Sequence, residues 1–569
     1  MIDLHAPPAS RRAWAAAAAT LTIVLGALLA WLVVTPLVTL RGELRVLQFW
    51  WLEATVFVGL AVTGAVLSEV ARLLERRDLL AMVAIALVAV GLTLTLPFRT
   101  NRIFYDEQIY QNVGRNLADS KRAQLCNDGV IRDGRLRCSN AEYNKQPYAY
   151  PHLLSLVYRT FGIRANGPFA VNAAAMGVTV AFAYLLVLLL FADRAAALGA
   201  AAVLALIPEQ LIWSATGAAE PTASLAFVAA LVAAACFVRT RSDAALAGVA
   251  IATAYASQFR PESLLVVPIV GLLLWQRARD ELLTPRICWA AALFISLTAL
   301  QFAHVLAVRH EGWGTTQERM GLSYAVQNVR VNGWFFLRDP RFPPVFTLLA
   351  VLGLAAPRDR TGRLAIAAWF LALFGITLFF YAGSYDYGAD VRYSVMTNPP
   401  IAILAGLGIA WVIRTASGGR WRAGVCAGLV AVAAYMYLRT AIPVVRATTD
   451  SASAARADVE FAKSFALKLP AGAYVLTHTP SMFHMWGVDA GQMSFATDPR
   501  FLDAVASRAA GGLYLHWNYW CNTQDPVHRA LCARVRDLGP VDLAGQSRSD
   551  GQRLAFYRMT LADSNRTKP

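Results

Sequence analysis

The sequence predicts a mainly α, polytopic helical membrane protein with a small C-terminal α/β domain outside the membrane. Three observations predict it. Of 569 residues 57% are hydrophobic and only 15% are charged, too apolar a balance for a soluble chain of this size. The apolar residues gather in runs, several of them reaching the roughly 20 residues that a helix needs to cross a bilayer, where every backbone N–H and C=O must be satisfied internally. After residue 442 the runs cease and a mixed, soluble composition takes over.

The first run, Ala13 to Val38, follows Arg11 and Arg12. It is longer than the roughly 7–15 apolar residues of a signal-peptide core. Pro36 to Leu40 offers no small-x-small cleavage pattern, so a retained anchor is expected. About thirteen spans are expected, at 13–38, 48–71, 79–98, 168–191, 195–213, 222–238, 244–258, 263–275, 287–308, 343–356, 364–382, 395–413 and 423–442. Those at 244–258, 263–275 and 343–356 are short, and one such pair can be a re-entrant element without changing sidedness.

With the N-terminus cytoplasmic, the inner connections are Arg72 to Asp78, Asp193-Arg194, Arg239 to Asp243, Gln276 to Arg286, Arg358 to Arg363 and Arg414 to Arg422. All are short and basic, as the positive-inside rule requires. The long segments 99–167, 309–342, 383–394 and 443–569 then fall outside. The same dispersal accounts for the net charge of +16 as topology signals, and no nucleic-acid partner is expected.

Cysteine use agrees with this sidedness. Cys126 and Cys138 lie in the first outer loop and Cys521 and Cys532 in the tail, two close pairs suited to disulfides in an oxidising compartment. Cys236, Cys288 and Cys426 lie in spans, where cysteine packs as a small hydrophobe. The domains expected are N-terminal helices at 1–78, a membrane core at 79–442 with its large loop at 99–167, and the tail at 443–569. In the tail a polar helical stretch, Ser453 to Leu469, alternates with strand-like runs at Ala473 to Thr477, Gly512 to His516 and Arg553 to Met559.

Chemistry-bearing residues gather at the outer ends of the spans. Asp106 and Glu107 stand together just beyond the third span; adjacent residues face different ways, so one can act as a base while the other orients it or holds the fold. The same acids also suit the first turn of a helix. Glu220, at the next outer turn, is costly there unless it meets a cation or a polar cavity, although it can also cap the helix that begins at Pro221. Arg260 and, in the segment Ser384 to Tyr393, Arg392 present planar cations suited to phosphate, or else snorkel. Lys145, within Tyr143 to Leu154, can reach a lipid head group from an interfacial aromatic segment. His478, His484, His516 and His528 are scattered through the tail and suggest no metal site; no Walker loop, HExxH or CxxC occurs.

An Asp-Glu pair opening a long first outer loop, a Lys-Gln-Pro-aromatic segment closing it, a second acid at the next outer turn, a late Arg-Tyr before a Pro-containing span and an outer C-terminal domain together resemble the glycosyltransferase C superfamily. The branch most similar is that of protein O-mannosyltransferases and lipid A aminoarabinose transferases, over roughly residues 79 to 440. The resemblance implies an inverting membrane glycosyltransferase that takes a sugar from a polyprenyl phosphate donor and passes it to a lipid, glycan or protein acceptor. It implies Asp106 as the base with Glu107 beside it, and Glu220 as a second catalytic acid where the family often has Asp. Lys145, Arg260, Arg392 and Tyr393 would then lie at the donor phosphate. No cofactor is implied, and a divalent metal is not required where Lys and Arg neutralise the phosphate. Two extra N-terminal spans depart from the pattern. Bacterial inner membrane, with the working face periplasmic, fits the Ala- and Arg-rich composition. A transporter, which places charges in mid-membrane and repeats its halves, fits less well. An oligosaccharyltransferase or surface-glycan polymerase would be marked by a metal held between Asp106 and Glu220.

Overall fold

The computed structural model describes every residue except 1–7, 104–105, 312–317, 358, 387–389, 417–418, 550 and 561–569. The parts of the motifs that fall on Phe104, Tyr105 and Tyr387 to Ala389, and the loop position Arg358, therefore lie outside the described residues. Among the described residues nine helices are long and apolar enough to cross a membrane, ten if the helices Arg194–Leu206 and Pro208–Ser214, bent by 62° at Ile207, form one broken span. The chain is a multi-pass membrane protein. The expected short spans appear as helices Asp243–Ala256, Val266–Arg277 and Pro344–Ala355, of 14, 12 and 12 residues. The expected outer segment 309–342 contains the amphipathic helix Leu322–Arg338. Asn328 and Asn332 of this helix donate to backbone carbonyls near the end of helix Arg360–Phe379.

The spans pack closely where small residues allow it. Gly406, in helix Asn398–Thr415, leaves so little room that a Cβ would lie 2.4 Å from the Ala196 carbonyl oxygen and 2.4 Å from Ala200 N. Backbones that approach this closely gain dispersion contacts, which must hold helices together where lipid removes most of the hydrophobic drive.

The N-terminal helices, Pro8–Val34 and Leu37–Leu73, acquire a role. The second has 37 residues, roughly 55 Å at 1.5 Å per residue, well beyond the ~30 Å of hydrocarbon. Its excess length carries Arg41, Arg45 and Glu53 to the first loop and its neighbours. Glu53 receives Arg159 through both guanidinium nitrogens, at 3.0 and 2.7 Å, and lies 3.0 Å from His152 Nε2. Arg45 accepts from Ala123 N and donates to the Ala141 carbonyl. This helix thus holds both ends of the loop.

The tail does not complete its sheet alone. Strands β1 (Leu125–Arg132) and β2 (Arg135–Glu142) form a hairpin in the first loop. In the tail are β3 (Tyr474–Thr477), β4 (Asp489–Gln492), β5 (Leu513–Trp517), β6 (Val541–Ser549) and β7 (Gln552–Met559). Together they make one seven-stranded sheet in the order β2-β1-β4-β3-β5-β7-β6. The pairings β3–β4 and β3–β5 are parallel and the others antiparallel. Asp128 of β1 is held by Arg508 at 2.7 and 2.8 Å and by Tyr474. Both expected disulfides form, Cys126–Cys138 within the hairpin and Cys521–Cys532 beside β5. Loop and tail therefore lie on one side of the membrane, so an even number of crossings separates them. The ten spans expected between residues 99 and 443 satisfy that condition.

Candidate active site

The outer ends of four segments meet over the helical core. The first is helix Asp106–Ser120, with both acids in its opening turn, where the helix dipole favours them. Asp106 and Glu107 point apart. Glu107 is fully buried and accepts three backbone N–H groups, from Arg102 at 2.7 Å, Ile103 at 2.9 Å and Gly217 at 2.8 Å. Burial pushes its carboxyl up to about 7 against the pull of those donors. Its work is to bind the entry of this helix to the turn at Gly217.

That turn positions Glu220. Asn172 donates to the carbonyls of Thr216 and Ala218 at 2.7 and 2.8 Å, and Tyr150 donates to that of Gly217 at 3.0 Å. Glu220 then opens the next helix, Glu220–Thr240, and is 1% exposed. Its Oε1 lies 2.5 Å from an Arg260 guanidinium nitrogen and 3.4 Å from Arg392 Nε. Removing any one of the three would leave its neighbours short of a partner in a site closed to water.

Arg260 precedes the 3-10 turn Pro261–Leu265 and also binds Glu262. Arg392 and Tyr393 lie in the 3-10 stretch Asp390–Thr397, which runs into the helix begun by Asn398, Pro399 and Pro400. The Tyr393 ring has a guanidinium on it from each arginine, Arg260 at 5.4 Å and Arg392 at 5.3 Å from the centroid. The ring attracts both cations, and the shared Glu220 carboxylate offsets their mutual repulsion. Arg392 completes the chain by an ion pair with Asp106 at 3.0 Å.

These groups border a cavity of about 470 Å³. Asp106, Lys145, Arg260, Arg392 and Tyr393 line it, while Glu107 and Glu220 support it from behind. Its far wall is apolar, with Ile376 and Phe380 at the end of the Arg360–Phe379 span. A further cation lines it that sequence reasoning missed, Arg319. Backbone bonds fix its place: Tyr381 N donates to the Arg319 carbonyl at 3.0 Å and Gly321 N to that of Phe379 at 2.8 Å. Nothing near Arg319 in the sequence signals this, because the contact joins two segments some 60 residues apart through backbone alone.

The tail histidines serve other ends. His484 Nδ1 lies 3.0 Å from Asn112 Nδ2 of the loop helix and its Nε2 3.0 Å from the Ala490 carbonyl, while Arg115 donates to its own carbonyl. His516 lies 3.2 Å from Asp458. His478 sits near Cys521 and Cys532, but their sulfurs are joined to each other.

A family model described as dolichyl-phosphate-mannose-protein mannosyltransferase matches residues 145–303. The matched segment begins at Lys145, includes Glu220 and Arg260, and leaves Asp106 and Arg392 outside. No curated protein matches the sequence significantly. Among solved structures the chain is similar to ArnT from Cupriavidus metallidurans bound to undecaprenyl phosphate, with TM-score 0.54 and 16% identity over 85% of this chain and 98% of that one. The apo state of the same protein gives 0.55 and 16% over 84% and 97%. The archaeal oligosaccharyltransferase AglB from Archaeoglobus fulgidus, in complex with an inhibitory peptide and a dolichol-phosphate, gives 0.50 and 11% over 86% and 75%. The chain thus shares its fold with these membrane proteins.

Proposed function

We propose that the protein transfers a sugar from a polyprenyl phosphate donor to an acceptor hydroxyl at the outer face of the membrane, with inversion at the anomeric carbon. The observation that carries this reading is the cavity in which two carboxylates, Asp106 and Glu262, meet four cations, Lys145, Arg260, Arg319 and Arg392, beside an apolar wall; Glu262 is held by Arg260, which leaves Asp106 as the acid for the acceptor. An amphiphile with a phosphate next to a hydrocarbon chain fits those two faces. The ligands of the similar structures, undecaprenyl phosphate and dolichol-phosphate, are of that kind.

In the reaction the acceptor oxygen attacks the anomeric carbon, its proton passes to Asp106, and the bond from that carbon to the phosphate oxygen breaks. The polyprenyl phosphate leaves with both bonding electrons, and the cations stabilise the added charge. Glu220 acts through the arginines, since its carboxylate faces Arg260 and Arg392. Guanidinium groups thereby take the part that a divalent cation would have, and we assign the site no metal.

The outer face is assigned to the periplasm of a bacterial inner membrane, with the N-terminus cytoplasmic. Six short basic connections support this orientation, as do two disulfides confined to loop and tail. The reading is tested by transfer of labelled sugar from native polyprenyl phosphate donors in membranes carrying wild type or Asp106→Asn. Transfer by wild type and its loss in a folded variant are expected. Undiminished transfer by the variant would remove the base.

A further inference from the structure

We propose that a second cavity, of about 350 Å³, between the loop helix, the β1–β2 hairpin and the tail domain holds the acceptor, and that the acceptor is a neutral glycan. The inference rests on the transferase reading, since it names the second substrate of the same reaction.

Gln108 provides the first argument. It is 3% exposed, it lines this cavity, and neither its Oε1 nor its Nε2 has a hydrogen-bond partner among the described residues. A buried amide left in this state is costly, and a ligand that both donates and accepts would satisfy it. Sugar hydroxyls do both.

The rest of the lining has the same character. Thr479, Ser481, Gln492 and Ser494 add hydroxyl and amide groups, and Phe495 supplies an aromatic surface for the C–H face of a sugar ring. Lys and Arg are absent from the lining. Glu142 is engaged by Asn127 at 3.0 Å. His478 is neutral, because burial and the neighbouring His528 and His516 push it down to about 4. Such a site has nothing to neutralise a phosphate, in contrast to the cavity at Asp106.

The two cavities are bordered by the same two chain segments. Asp106 borders one, and Gln108 and Ile109, in the same helical turn, border the other; Lys145 and Gln146 border the first, and Glu142 the second. A glycan seated on Gln108 is thus held by the same helical turn that carries the proposed base. Gln108 also borders a third cavity, of about 250 Å³, which Arg99, Arg456 and Lys463 make cationic. Ser494 lines only the neutral one, so it separates the two by mutation.

The test uses the full chain in detergent or nanodiscs. Binding of labelled neutral tri- to pentasaccharides from mannan, galactan and arabinan is measured directly, and undecaprenyl phosphate binding separately. Wild type is expected to bind at least one glycan. Gln108→Leu and Ser494→Trp are expected to weaken it by about tenfold or more, with undecaprenyl phosphate binding retained as evidence of folding. Ser494→Ala should keep the affinity. Absence of glycan binding to a wild type that binds undecaprenyl phosphate would overturn the inference and leave the donor reading standing. Equal binding by wild type and Ser494→Trp would also overturn it. Glycan binding without undecaprenyl phosphate binding would keep this site and sink the donor reading.

Discussion

Arg392 joins Asp106 at 3.0 Å and Glu220 at 3.4 Å, so one guanidinium ties the proposed base to the buried acid behind it. The same guanidinium lines the cavity that suits the donor phosphate. A phosphate entering there competes with Asp106 for Arg392. In the proposed reaction this would free the base to accept a proton once the leaving group is seated, which would favour productive transfer over idle pairing.

Asp106→Asn keeps the size of the side chain and its hydrogen bond to Arg392 but cannot take a proton. Transfer should fall by about 10²–10⁴-fold, with undecaprenyl phosphate binding kept or strengthened. Labelled-sugar transfer and ligand binding on the same preparation check both parts.

Arg319 should contribute a charged contact to the donor although no motif contains it. Arg319→Ala is expected to raise the donor KM by roughly 10–100-fold, the equivalent of about 1.5–3 kcal/mol for a hydrogen bond to a charged group. Titration of donor at saturating acceptor measures it. An unchanged KM would place Arg319 outside the donor contact.

Glu220→Gln tests the support behind the cavity. Arg260, itself buried, would lose one of its two charge partners, Glu220 at 2.5 Å, while Glu262 remains; breaking a buried pair from one side costs about 3–5 kcal/mol, and Glu262 offsets part of it. Thermal unfolding in detergent should show a marked fall for Glu220→Gln and a smaller one for the double variant with Arg260→Met, which removes both charges.

His484 makes the seam between loop and tail sensitive to acid. Its neutral ring accepts from the Asn112 amide at Nδ1 and donates to Ala490 at Nε2, and burial pushes its pKa down from 6.5 to about 4. Because the unfolded state then binds the proton more tightly, the stabilisation is complete above pH about 6.5. It is lost as the pH falls towards 4, by up to about 3 kcal/mol. Melting curves between pH 7 and 4 should show that loss in wild type and a weaker pH dependence in His484→Gln.

Much of this architecture is written locally in the chain and some is not. The spans were legible because lipid demands continuous apolar helices, and the sites at their outer ends because charges there are sparse. Asp106, Lys145, Arg260, Arg392 and Tyr393 do meet at one cavity. Glu107 and Glu220 were legible as acids, yet their roles depend on partners over 100 and 40 residues away, Gly217 and Arg260. The tail's strands at Tyr474, Leu513 and Gln552 followed from their strand-like runs, whereas β4, Asp-Ala-Gly-Gln, has no large apolar residue to mark it. The hairpin at β1 and β2 is polar on much of both faces, and its membership of the tail's sheet is a matter of pairing, which no single segment encodes. The helix Leu322–Arg338 was hidden by its polar face.

The shared sheet also constrains how the protein is made. Strand β1 emerges early in synthesis, yet its neighbour β4 arrives only after the intervening spans have been threaded into the bilayer; Ile131 and Asp489, which bond across that seam, are 358 residues apart. At the pace of translation the loop waits, at ~5–20 residues per second, for tens of seconds with one strand edge unpaired. The early disulfide Cys126–Cys138 closes the hairpin within the loop itself and so can keep that edge in register until the last strands are exported. A ribosome that stops before the tail leaves a membrane core already inserted but a loop hairpin without its partner strand, so the seam at β1 and β4 closes only once the tail has been made.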